Sequence, residues 1–259
     1  MLAGSAPING ALGFQQSIRQ ANAGQADEIV VFVHGYNVNF AESVYRHAQI
    51  ANDYGLRGQQ VLFAWPSSAQ PLGYAYDRDS VAHARDDLER LLTDLARNQK
   101  GKILLIAHSM GSHLVVETLR QMSIGGNRAL FSRLSGVALM SPDIDIDLFL
   151  RQMERVRPVP QPFVLLVSSR DRPLRLSAAL TGQTARLGSI SDIRRLKDLP
   201  VTVIDLSRFE GDYGNHLTAA SSPTVIALIN GLMRIPQQVR ERSVTYLDLA
   251  QVALTGNAQ

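Results

Sequence analysis

Six short apolar runs, spaced by longer amphipathic stretches, constrain this chain more than any other feature. They are EIVVFV (28–33), QVLFAW (60–65), KILLIA (102–107), SGVALM (135–140), FVLLVS (163–168) and VTVIDL (201–206). A strand with one face in water alternates apolar and polar residues, whereas a strand covered on both faces does not. Most of the six do not alternate, so they are expected to be strands with helices packed on both sides. The segments between them carry the helical period. FAESVYRHAQIANDYG ends on Gly55, a residue suited to a helix C-terminus, and DRDSVAHARDDLERLLTDLARNQKG puts Val81, Leu88, Leu91, Leu92 and Leu95 on one face. SHLVVETLRQM, IDLFLRQM and SPTVIALINGLMR continue the alternation. The pattern predicts an α/β fold: a mostly parallel, doubly wound sheet of about six strands or more with right-handed crossovers.

The 259 residues suit a single domain, with a core over about 14–235 and peripheral tails at 1–13 and 236–259. No repeat, low-complexity tract or long linker divides it, and VRPVPQP (156–162) runs straight into a strand. There is no cysteine, which excludes disulfides, thiolate metal sites and cysteine nucleophiles. The net charge is only +3 and the arginines are mixed with acids, so no nucleic-acid partner is expected. No apolar run approaches the ~20 residues of a membrane helix, so no stable membrane insertion is expected. The start, MLAGSAPING, lacks the n- and h-regions of a signal peptide and reads as a trimmed beginning. The compartment, cytoplasmic or, with a targeting segment trimmed, periplasmic or secreted, and the oligomeric state stay open.

The run ILLIAHSMGSH ends a buried strand on His108, Ser109, Met110 and Gly111. In an open α/β sheet, ligands bind beyond the carboxyl ends of the strands, and Ser109 is expected there. A sharp strand-to-helix turn crowds the positions two before and two after its apex, and these hold the small residues Ala107 and Gly111. The pattern is that of a nucleophile elbow, with alanine in place of the first glycine of G-x-S-x-G. The helix from Met110 points backbone N–H groups at the apex.

A serine nucleophile needs a base, and the base an orienting acid. His108 and His113 flank the serine at angles unsuited to reach its hydroxyl, His47 and His83 lie inside helices, and His34 leads into a glycine turn. His216, in the loop EGDYGNHLTAA after the last of the six runs, is the candidate base. The acid belongs after a strand between serine and histidine. Asp171, in FVLLVSSRDRPLRLS, fits best, and Asp143, in SPDIDIDLF, is the alternative. The order Ser109, Asp171, His216 is that of an α/β-hydrolase triad. The DIDID run does not fit a calcium loop, because Leu148 and Arg151 fall where glycine and a ligand belong; Asp145 reads as a helix N-terminal residue.

Taken together, VFVHGYN, LFAWPS, GYAYDRDS, AHSMG, SPDIDID, SSRDRPLRLS and NHL resemble the bacterial α/β-hydrolases catalogued as domain of unknown function 900, from about Phe14 to Leu228. The resemblance implies an α/β-hydrolase fold and a serine carboxylester hydrolase working without cofactor or metal on a small-molecule ester. It implies Ser109, Asp171 and His216 as triad, and HGYN as the oxyanion loop. The Tyr36 amide would then act with that of Met110, and Asn37 is the runner-up donor. The early antiparallel strands of the fold are expected to be absent or very short, and no insertion long enough for a cap domain is visible. His34, Gly35, Asn37, Trp65 and His108 are candidate pocket residues, although Trp65 suits a core position better. Tyr74 and Tyr76 are expected on a loop at the same rim. A lipase, thioesterase or perhydrolase could use the same triad, and a non-catalytic binding module could keep the fold.

Overall fold

The computed structural model describes residues 7–8, 10–21, 28–56, 58–171, 173–174, 177–178, 182, 186–190, 193–207 and 245–248. The six expected strands are β1 (Glu28–Val33), β2 (Gln59–Phe63), β3 (Lys102–His108), β4 (Leu134–Met140), β5 (Phe163–Val167) and β6 (Thr202–Asp205). A seventh, β7 (Thr245–Asp248), pairs with β6 in a stretch read from sequence as a tail. The order is β2-β1-β3-β4-β5-β6-β7 and every pairing is parallel. The helices are α1 (Gly10–Ala21), α2 (Phe40–Asp53), α3 (Tyr74–Asn98), α4 (Met110–Ile124), α5 (Arg128–Arg133) and α6 (Ile146–Met153). The helix expected over SPTVIALINGLMR and the candidate base His216 lie outside the described residues.

The two-sided burial explains the unalternating strands. Ile29, Val31 and Val33 of β1 join one core cluster with Leu88, Leu92 and Leu95 of α3 and Leu114 and Val115 of α4. Val30 and Phe32 face the other way, in a second cluster with Ile50 of α2 and Tyr54 just beyond it. Each strand residue therefore has an apolar layer to enter, whichever way it points.

Local signals set the helix ends. Asn39 and Glu42 form a reciprocal capping box at the start of α2. Its end is a Schellman turn: Gly55 has φ +55°, and the N–H groups of Gly55 and Leu56 donate to the carbonyls of Asn52 and Ala51. Two expectations need correction. Tyr74 and Tyr76 sit in the first turn of α3, not on a loop, because the Gly73 N–H closes a turn on Gln70 and the Asp77 N–H then bonds the Gly73 carbonyl. Trp65 lies two residues beyond β2, which leaves the ladder at Phe63, opposite the last residue of β1.

From β1 the chain moves to β2 on one side, then returns to place β3 on the other side of β1. The strand order reverses there, and the crevice beyond the carboxyl ends of β1 and β3 is the topological switch point at which such sheets bind ligands.

Candidate active site

Ser109 occupies the N-cap of α4 with φ 51° and ψ −123°, a conformation that non-glycine residues rarely adopt. Strain of this kind costs about 1–3 kcal/mol and persists only where the surroundings enforce it. Here they do so from two sides. The Ser109 N–H donates to Met140 O (2.9 Å) at the end of β4, while its carbonyl accepts from the Ser112 N–H (3.0 Å) and the Asp143 N–H (3.2 Å). On the other side the loop after β1 presses against the elbow. A Cβ on Gly111 would lie 2.2 Å from the His34 carbonyl oxygen, and one on Gly35 would lie 3.0 Å from Ser109 Cβ. Gly111 is there because two backbones touch, and Gly35 because the His108 ring, 2.8 Å from such a Cβ, and Ser109 crowd it. Ala107 is fully buried and pairs with Val33 of β1 and Leu139 of β4.

The loop after β1 is itself tied to the segment following β2. The His34 and Trp65 rings stack at 5.0 Å and 5°, and the Trp65 indole N–H donates to His34 O at 2.8 Å. His34 Nε2 lies 3.1 Å from the Trp65 N–H and Nδ1 lies 2.9 Å from Gly35 O. Nε2 also lies 3.1 Å from Trp65 O, so the ring has a backbone partner at each nitrogen, and burial, the largest influence, pushes the His34 pKa down from 6.5. Trp65 is therefore a core residue, 3% exposed, that braces the site from behind. The Tyr36 hydroxyl donates to Pro71 O (2.6 Å), and its ring meets Tyr74 edge-on at 5.4 Å. Burial, followed by the Asp77 charge, raises the Tyr36 pKa. The Asn37 N–H donates to Asp77 Oδ2 (3.2 Å). Among the described residues, the Tyr36 and Met110 N–H groups have no hydrogen-bond partner.

The two candidate acids differ in their surroundings. Asp143, 4% exposed, accepts from the Tyr74 hydroxyl on Oδ2 (3.0 Å) and from the Ser177 hydroxyl on Oδ1 (2.8 Å). Arg186 Nε is 3.1 Å from the same Oδ1, within ion-pair range but off hydrogen-bond alignment, and Arg186 also donates to the Tyr74 oxygen (3.1 Å). Burial, then the Asp143 charge, pushes the Tyr74 pKa up to about 12, so its hydroxyl stays a donor. Asp171 is fully buried beyond the carboxyl end of β5, where Oδ1 accepts the Leu174 N–H at 3.0 Å. Asp145 caps α6 through the Leu148 N–H (3.0 Å). Among the described residues no group of three or more His, Asp or Glu side chains could hold a metal ion, and no helix is long and apolar enough to cross a membrane.

The fold thus brings His34, Gly35, Tyr36, His108, Ser109 and Met110 to one rim, with Asp143 beside them. Sequence reasoning placed Tyr74 at this rim but missed Asp77 and Arg186. A signal existed for Asp77, which falls at helical spacing on the same face of α3 as Val81, Ala84, Leu88, Leu92 and Leu95, and the structure buries it fully. Arg186 has no such signal, because its partners are remote in sequence.

A parallel sheet with a strained serine between strand and helix at the switch point defines an α/β hydrolase. The chain belongs to the family described as alpha/beta hydrolase of unknown function (DUF900), which it matches over residues 13–232. Among solved structures it is similar in fold to an esterase of Pyrococcus furiosus, at 12% identity and a TM-score of 0.50, over 81% of this chain and 83% of that one. A dienelactone hydrolase of Anabaena variabilis aligns at 14% identity and a TM-score of 0.48, over 80% and 85%. An esterase of Pyrobaculum calidifontis aligns at 15% and 0.43, over 82% and 77%. No curated protein matches the sequence.

Proposed function

We propose that the protein is a serine ester hydrolase working through an acyl-enzyme. The observation that carries this reading is the forced backbone of Ser109, at the N-terminus of α4 and against the loop after β1. In the proposed mechanism, Ser109 Oγ attacks the ester carbonyl while His216 takes the hydroxyl proton, and Asp171 holds the imidazole. The tetrahedral oxyanion accepts hydrogen bonds from the Tyr36 and Met110 amides. Collapse breaks the bond to the leaving alcohol, which receives the proton from His216. Water, deprotonated by the same histidine, then cleaves the acyl-enzyme and restores Ser109.

Two details support these assignments. The Asn37 N–H is committed to Asp77, which favours Tyr36 as the loop donor. Asp171 is buried just beyond the carboxyl end of β5, after a strand between Ser109 and the candidate base in chain order, which supports it as the acid, with Asp143 as the alternative. The substrate class is a small, soluble acyl ester. The chain passes from Met140 to Phe163 with only the eight-residue α6, a layout that suits an open pocket.

The test is intact mass after fluorophosphonate treatment of wild type and Ser109→Ala, with p-nitrophenyl esters of increasing chain length. One adduct, absent from Ser109→Ala, with turnover greatest on short esters, is the expected result. Turnover peaking on long acyl groups makes the protein a lipase, and no adduct on folded protein makes it a binding module. Asp171→Asn is expected to lower kcat by about 10⁴-fold, and Asp143→Asn to lower stability more than kcat.

A further inference from the structure

We infer that Asp77 is a positioning residue for the oxyanion loop, choosing which backbone amide faces the reacting carbonyl. The inference rests on the acyl-transfer reading above and adds a residue to it. Asp77 lies in the first turn of α3 and is fully buried. A buried carboxylate is costly unless its oxygens are satisfied, and its neighbours show what satisfies it. Oδ2 accepts from the Asn37 N–H (3.2 Å) and the Ser67 hydroxyl (2.6 Å), and Oδ1 from the Ser68 N–H (2.7 Å). Ser67 Oγ in turn accepts from the Val38 N–H (3.3 Å) and the Ala69 N–H (3.2 Å). One carboxylate and one hydroxyl thus join the loop after β1 to the loop after β2.

The consequence lies in the backbone of residues 36–38. Asn37 has φ +55°, in the left-handed region that asparagine enters more readily than other non-glycine residues. Hydrogen bonds from the Asn37 and Val38 N–H groups to Asp77 and Ser67 hold that conformation and commit both amides. The Tyr36 amide is then the loop donor left for the oxyanion. Without the carboxylate, the loop loses the acceptor for Asn37, and its peptide planes can rotate. A merely structural acid at a helix N-terminus would stabilise α3 through its dipole and leave catalysis alone, so the two roles separate in kinetics.

The experiment compares wild type, Asp77→Asn and Ser67→Ala by kcat and KM on p-nitrophenyl acetate, by Ki for a trifluoromethyl ketone, and by Tm. The ketone adds to an activated serine and places its oxyanion in the hole. For Asp77→Asn, KM is expected to stay within two-fold, while kcat falls by about 10- to 100-fold and Ki rises by a similar factor. Ser67→Ala, which cuts the same link more gently, shifts kcat and Ki in the same sense by a smaller factor and keeps the test decisive if Asp77→Asn does not fold. Unchanged kcat and Ki, in either folded variant, with only a lower Tm overturn the inference. A wild type that fluorophosphonate does not label overturns the acyl-transfer reading and this inference with it; a labelled wild type with unaltered variants overturns this inference alone.

Discussion

Gly111→Ala tests the contact that shapes the elbow. The added methyl carbon would start 2.2 Å from the His34 carbonyl oxygen and 2.8 Å from that of Val33, whereas ordinary contact begins at 3.4 Å. Neither neighbour is the flexible end of a side chain. Both carbonyls belong to backbone at the end of β1, fixed by pairing with β2 and β3 and by the Trp65 indole N–H on His34 O. To accommodate the methyl, α4 and β1 must separate by about 1.2 Å, the difference between 3.4 and 2.2 Å. Overpacking of this order costs about 1–3 kcal/mol, and each kcal/mol lowers Tm by roughly 2–4 °C in a chain of this size. Activity suffers more, because a misplacement of about 1 Å in a reacting group can cost ~100-fold in rate. Thermal unfolding and fluorophosphonate labelling rate, measured together, give both quantities. Ala107→Gly is the control: it deletes a buried methyl in a strand, costs about 1 kcal/mol or more, and keeps labelling within a few-fold. A Gly111→Ala protein with wild-type Tm and labelling rate would refute the reasoning.

Three further outcomes are expected. Burial holds the pKa values of His34, His47 and His113 below 6.5, so each stays neutral in the folded protein and protonates more readily when unfolded. Their stabilisation is complete above pH 6.5 and is lost as pH falls below it; Tm should drop between pH 7 and 5, and less steeply in His47→Gln. Arg186→Met leaves Asp143 buried without its cation and should cost about 3–5 kcal/mol in urea unfolding, with less than additive loss when Asp143→Asn is combined with it. Asn39→Ala removes the capping box of α2 and should lower stability by about 1 kcal/mol in the same assay.

The sheet, its strands and the serine turn were legible in the sequence because each depends on neighbours close along the chain. Uniformly apolar runs report two-sided burial, Gly55 reports a left-handed helix end, and the small residues at 107 and 111 report a tight turn about Ser109. What lay behind Gly111 was not legible. The residue it must clear, His34, is 77 positions away and reaches it only because β3 inserts beside β1. The same holds for Tyr74 and Tyr76, where a turn at residues 70–73 starts α3 earlier than periodicity suggested. Asp143 and Arg186, 43 residues apart, meet as a buried pair that no spacing rule could locate. Local backbone preference and side-chain period thus determined the elements and the turn at Ser109. Which polar groups are buried together depends on long-range packing that only the tertiary structure decides.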